Sequence, residues 1–286
     1  MLTILLDGIA YGMLLFILAC GLAVTLGLMN FVNLAHGAFA MAGGYLTVVL
    51  MSRYGVPFLL CLPIAFLITG LAGAILERTL YRQLYDRSHL DQVLFSIGLV
   101  FMAVAAIDFF MGARQQIVQL PDFLRGRVEI LGAQIGVYRL FIIVVCAALT
   151  VWLQLTLTRT RFGARLRAAV DDGRVARGLG IPVGVVFAAT FAVGSGLAGL
   201  GGALGADILG LDPTFPLRFM IYFLIVVTVG GSTSITGPFL ASMILGIADV
   251  AGKYYVPELG AFIIYALAVL ILIARPNGLF SREAAR

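Results

Sequence analysis

The apolar positions of this sequence fall into blocks too long for the core helices of a soluble domain, with short polar segments between them. The blocks run roughly 8–28, 31–51, 56–76, 91–112, 138–158, 182–206, 217–248 and 258–274. About 20 apolar residues rising ~1.5 Å each cross a hydrocarbon layer of ~30 Å, and blocks of that length recur along the whole chain. The pattern predicts an all-α polytopic membrane protein. We expect a bundle of about seven full spans plus one re-entrant or broken helical hairpin, forming a single transmembrane domain over residues 1–286.

Composition sharpens this picture. Residues of the set AVILMFWYC make up 62% of the 286 positions and charged residues only 12%, and the mean hydropathy is +1.08. A soluble domain is nearer half apolar and a quarter charged. Glycine is abundant, at 34 residues. Small residues let helix backbones approach where lipid supplies no hydrophobic drive, so Gly194, Gly196, Gly199, Gly201, Gly202 and Gly205 predict a tightly packed helix face. Cys20, Cys61 and Cys146 each lie inside an apolar block, too scattered for a disulfide framework or a metal site. They read as core thiols, and neither a metal nor a cofactor is expected. Met1–Leu6 carries no basic residue, so the first block reads as a retained span and not as a cleaved signal.

The net charge of +5 is carried almost wholly by arginine, Lys253 being the sole lysine. The arginines sit in short segments between spans, which points to topology and away from nucleic acid. Arg78, Arg82 and Arg87 lie in 77–89, and Arg159, Arg161, Arg165, Arg167, Arg174 and Arg177 in 159–177. Arg275, Arg282 and Arg286 lie in the tail. The positive-inside rule places all three segments in the cytoplasm, with the N-terminus and residues 113–137 outside. Parity then requires the block 217–248 to enter and leave on the same side. Gly230-Gly231-Ser232-Thr233-Ser234-Ile235-Thr236-Gly237-Pro238 interrupts it, so two half-helices joined by a turn are expected. Irregular backbone at membrane depth survives only beside protein or a watery cavity. The turn is therefore either part of a translocation path or a loop near the membrane surface.

A second break, Asn30-Phe31-Val32-Asn33-Leu34-Ala35-His36-Gly37, leaves almost no room for a solvated loop. Its polar side chains are costly in lipid unless paired or facing water. Two readings stand: Asn30, Asn33 and His36 line a pathway, or an asparagine caps the next helix while His36 bonds a carbonyl. Asp108 is the remaining outlier, expected near the surface or paired with Arg114 or Arg139.

Residues 159–181 carry a helical signal of their own. Asp171 or Asp172 caps a short helix on which Val175, Ala176 and Leu179 share a stripe, and Gly180 and Pro182 end it. An amphipathic helix outside the membrane, flanked by cations, suits either a groove on a cytosolic partner or the lipid headgroups.

This segment resembles the cytoplasmic coupling loop of the branched-chain amino acid ABC transporter permeases, through Thr160-Arg161-Phe162-Gly163, Arg167-Ala168 and Leu179-Gly180-Ile181. The early Ala35-His36-Gly37 with Gly44-Tyr45, the Gly230-Gly231-Ser232 turn with Gly237-Pro238, and the closing Arg275-Pro276-Asn277-Gly278-Leu279-Phe280 are similar to segments of the same family, in the same order. The placement of the N-terminus is similar to the LivH-type subunit. The resemblance implies an ABC importer transmembrane domain working in a bacterial inner membrane. Its partners would be a second, LivM-like permease subunit, two cytosolic ABC ATPases and a periplasmic solute-binding protein. It assigns ATPase coupling to Arg167, Ala168, Asp171, Asp172, Val175, Ala176, Leu179 and Gly180. The two chain breaks make Asn30, Asn33, His36, Gly230, Gly231, Ser232 and Thr236 the candidates for the path. The family also serves urea, short amides and aromatic acids, so the solute stays open between these and branched-chain amino acids.

A phosphate-binding loop needs a lysine followed by Ser or Thr. Lys253 precedes Tyr254, so this chain cannot carry that motif, and neither paired acids nor a zinc ligand cluster appears. The chain is expected to do no chemistry itself. A gradient-coupled carrier and a passive channel remain as alternatives to the importer; broken helices are found in such carriers.

Overall fold

The computed structural model describes residues 1–279 except 30, 32, 86, 131, 232–234 and 277. Long helices dominate: α1 (Leu2–Met29), α2 (His36–Tyr54), α3 (Phe58–Thr79), α4 (His89–Met111) and α5 (Val137–Arg159). Two short helices, α6 (Arg161–Asp171) and α7 (Gly173–Gly178), precede α8 (Val183–Leu209), α9 (Phe215–Gly230), α10 (Thr236–Tyr255) and α11 (Gly260–Ala274). The loop expected on the outside contains a small antiparallel hairpin, β1 (Arg127–Ile130) with β2 (Ala133–Gly136), in which Val128 faces Ile135. Among the described residues, five helices are long and apolar enough to cross a membrane: residues 2–26 of α1, then α3, α4, α5 and α8. The chain is an all-α polytopic membrane protein.

The helix boundaries follow local chemistry. Ser88 caps α4, its hydroxyl accepting from the Asp91 amide at 3.2 Å. Gly55 closes α2 in the left-handed conformation at φ 64°, donating its amide to the Leu50 carbonyl. Buried hydroxyls are satisfied inside their own helices. Thr47 donates to the Gly43 carbonyl (3.0 Å), Thr190 to Val186 (2.8 Å) and Ser195 to Phe191 (2.6 Å). Each thereby removes a polar group that lipid could not solvate.

The core is built around α1 and α8. Residues 14–25 of α1 are all buried, and α8 touches α1, α2 and α3. Its glycines do not form one face, as the sequence suggested. Gly201 and Gly205 meet Leu18 and Leu14 of α1, Gly196 and Gly199 meet Phe66 and Thr69 of α3, and Gly202 meets Ala40 of α2. A helix surrounded on three sides needs small residues in three directions, which a spacing rule for one face cannot show. At the closest point a β-carbon on Gly202 would sit 1.8 Å from the Ala40 carbonyl oxygen, so backbone touches backbone. By contrast α4 exposes Leu90, Leu94, Phe101, Met102, Phe109 and Phe110, an apolar surface suited to lipid or another subunit. Asp108 is exposed on this helix, without an ion pair among the described residues; Arg139 instead pairs with Asp7 at 2.6 Å.

The break in the block 217–248 is real, but its flanks are unequal. At ~1.5 Å per residue α9 is about 24 Å long and α10 about 30 Å, and α10 runs to Tyr255. Gly231 turns the chain at φ 86°. The amide of Leu279, past the end of α11, donates to the Val229 carbonyl at 2.8 Å. The turn therefore lies level with the end of α11, and the two helices reach the same end of the bundle as the final one.

Candidate functional site

At the arginine-bearing end, the α5–α6 corner is held by close backbone approach. A β-carbon on Gly163 would fall 2.0 Å from the Leu157 carbonyl oxygen, and the Arg167 guanidinium donates to that same carbonyl. Leu166 and Ala169 turn inward, while Arg161 and Arg165 stay exposed. Asp172 then caps α7: one carboxylate oxygen accepts from the Arg174 amide at 2.8 Å and the Val175 amide at 2.9 Å. Gly180, at φ 80°, reverses the chain into α8.

The stripe read from the sequence divides in two. Ala176 is buried against Ala169, Val183 and Phe187. Val175 and Leu179, one turn apart, point the other way at 57% and 75% exposure. A six-residue helix takes its phase from the packing beneath it, here Ala176 on Ala169. Arg167, Ala176 and Gly180 thus build the corner, and Val175 and Leu179 form its outward apolar edge. Asp171 is exposed and Ala168 half-buried.

Beside this corner is an open groove of about 430 Å³ lined by Glu77, Arg78, Arg82, Arg177 and residues 181–185. Beneath it lies a buried polar cluster. The Tyr85 hydroxyl donates to Glu77 at 2.6 Å, and the Tyr81 hydroxyl to the Asn33 side-chain oxygen at 3.0 Å. Burial, with the Glu77 carboxylate second, raises the Tyr85 pKa, so this hydroxyl stays a donor. The same Asn33 oxygen accepts from the Ala35 amide at 3.1 Å, turning the chain into α2. His36 is wedged between Gly21 of α1 and Gly194 of α8. The Asn33 amide nitrogen and one Glu77 oxygen are buried without hydrogen-bond partners among the described residues. In this conformation Asn33 and His36 face packed protein, not an open path. Asn30 and Ser232 lie outside the described residues. Gly230 packs on Pro238 and Gly231 on Gly278, and Thr236 opens α10. These turn residues are thus gathered around the end of α11, apart from the corner of α5, α6 and α7.

Sequence reading missed acids inside the bundle. Asp249 is 1% exposed on α10; cutting the apolar block at 248 placed it outside. Glu77 is equally buried at the end of α3. No cluster of three or more metal-ligating side chains occurs among the described residues.

Comparison with known proteins fits this architecture. The family described as branched-chain amino acid transport system / permease component matches residues 4–272. The chain belongs to that family. It is 26% identical to the permease protein BraD of Pseudomonas aeruginosa over 97% of this chain and 95% of that one. It is 25% identical to LivH of Escherichia coli, over 96% and 94% respectively. LivM of Escherichia coli also matches, at 27% identity over 93% of this chain and 68% of its own length. All three are named as permease proteins of high-affinity branched-chain amino acid transport systems. No solved structure matches significantly. This family member is thus a multi-pass membrane permease component of the transport type, and not an enzyme in its own right.

Proposed function

We propose that the chain is the LivH-like, channel-forming subunit of an ATP-driven importer for branched-chain amino acids or a related small polar solute. It would sit in a bacterial inner membrane with a second, LivM-like permease subunit. Two cytosolic ABC ATPases would drive it, and a periplasmic solute-binding protein would feed it. The observation that carries this reading is the outward pair Val175 and Leu179 on a capped helix seated at the joint of α5 and α8.

A docked ATPase would press on that pair. The load passes through Ala176 to Ala169 and Val183, and so to the ends of α5 and α8. Because α8 is packed backbone-to-backbone on α2, it moves as a rod and not as a pliable strand. In the polar cluster at Asn33, His36 and Glu77, the Asn33 amide nitrogen and one Glu77 oxygen have no partner among the described residues, which favours a region that repacks between outward- and inward-open states. Thr236 and the glycines of the α9–α10 turn lie at the same end and would complete the gate.

Reconstitution in sealed vesicles tests the assignment. Uptake is expected only with ATP, both permeases, the ATPases and the binding protein present. Uptake driven by an ion gradient alone, or by solute concentration alone, would replace the importer by a secondary carrier or a channel.

A further inference from the structure

The end of the bundle opposite the arginine-rich loops holds a charged and aromatic cluster that coupling does not use. Asp249 lies about 9 Å in from the end of α10 at ~1.5 Å per residue, and its carboxylate is buried. One oxygen accepts from the Lys253 ammonium at 2.5 Å; the other is buried without a partner among the described residues. The Lys253 ammonium also stands 5.6 Å over the Tyr11 ring of α1. Tyr222 of α9 and Tyr265 of α11 pack at 5.8 Å between ring centroids. Arg218 lies one turn before Tyr222 on α9, and both α9 and α11 pack against α10. Arg218 is fixed by Asp212 at 3.0 Å and the Gly210 carbonyl at 3.2 Å.

A buried carboxylate beside electron-rich aromatic faces is a site for an ammonium ion. The structure shows an ammonium there already: the chain's own. Its side chain is half exposed while Asp249 is not, so Lys253 reaches in from an open side and can swing away. The space it would vacate is that of an ammonium on a four-carbon stem, the size of a short aliphatic amine. Arg218 supplies a fixed positive charge nearby, towards which a carboxylate would turn.

We infer that Asp249, with Tyr11, Tyr222 and Tyr265, forms an ammonium subsite for a zwitterionic amino acid, and that Lys253 occupies it as a tethered stand-in that the cargo displaces. This rests on the reading of the chain as an amino-acid permease and adds the residue that meets the cargo's amino group. A merely structural i, i+4 pair would not respond to solute.

Lys253 is the sole lysine, so acylation by an amine-directed succinimidyl ester, read by mass spectrometry, reports this side chain. A lysine-containing peptide added in fixed amount serves as reference and corrects for ester consumed by the amine of leucine. With the full chain in lipid nanodiscs, tens of millimolar leucine should raise the Lys253-to-peptide labelling ratio about threefold, the scale of releasing a half-exposed ion pair. Isocaproate, which is leucine without its amino group, should leave the ratio unchanged. Asp249→Asn should raise the ratio at once and abolish the response to leucine. A ratio flat under leucine, or raised equally by isocaproate, overturns the subsite. The measurement needs neither ATP nor partner subunits, so its failure is separate from a failure of ATP-dependent uptake.

Discussion

Leu179→Asp isolates the role of the short helix α7, because the side chain touches little in the subunit itself. At 75% exposure it contributes almost nothing to folding, so the variant should insert and keep its thermal stability within about 0.5 kcal/mol. Docking is different. Fully burying a leucine side chain is worth ~1.5–3 kcal/mol, so covering the exposed three quarters of this one is worth roughly 1–2 kcal/mol. An aspartate forfeits that and adds a carboxylate to be desolvated, for a total of about 3 kcal/mol, or roughly a hundredfold in affinity. Leu179→Ala, which carries no charge, should cost about 1 kcal/mol, near fivefold. The assay titrates purified ATPase subunits onto nanodisc-held permease and follows hydrolysis and solute uptake together. The aspartate variant should shift the titration by about two decades and separate hydrolysis from uptake. Ala176→Asp is the contrast: its charge would be buried against Ala169 and Val183 and should destabilise the subunit before any partner is added. An unshifted titration for Leu179→Asp would refute the docking assignment.

The remaining expectations concern packing and caps. Gly202→Val should lower stability by more than the ~1–3 kcal/mol typical of overpacking, because its β-carbon meets the Ala40 carbonyl oxygen at 1.8 Å. Gly98→Ala, with open space around it, should instead stabilise α4 by ~0.5–1 kcal/mol. Both are read by a thiol-reactive dye on heating, since Cys20, Cys61 and Cys146 are free and buried. Tyr81→Phe should cost about 0.5–1.5 kcal/mol in the same assay, through loss of the bond to Asn33. Asp172→Ala removes the cap of α7 and should cost ~0.5–2 kcal/mol of local stability, seen as faster hydrogen exchange at Arg174 and Val175 with the bundle unchanged.

The membrane class, the helix blocks and both chain breaks were legible because each rests on composition or on a local signal. Length and apolarity set the spans, and Gly and Pro set the turns. A cap at Asp171 or Asp172 was legible because capping is decided within three residues, and the structure selects Asp172. The inward turn of Ala176 was not, since it depends on Ala169 and Val183, which are brought together only by the fold. The α8 glycines read as one face for the same reason: spacing along one helix does not say how many neighbours surround it. Asp249 was hidden by a boundary. The apolar block thins near 248, yet α10 continues for two further turns, where Lys253 pairs with Asp249 and stands over the Tyr11 ring.

These partners place the two ends of the molecule in mechanical relation. α8 begins at Val183, which bears on Ala176 of α7, and it ends at Leu209. The carbonyls of Leu209 and Gly210 hold Arg218 at 3.4 and 3.2 Å. A 27-residue helix spans about 40 Å, so one element reaches from the arginine-bearing corner to the charged cluster at the far end. Its glycines allow α1, α2 and α3 to grip it along that length, and a gripped rod transmits displacement where a loosely packed one would bend. On the proposed docking, force applied at Leu179 would be carried along α8 to the carbonyls that anchor Arg218, without requiring a change of shape in between.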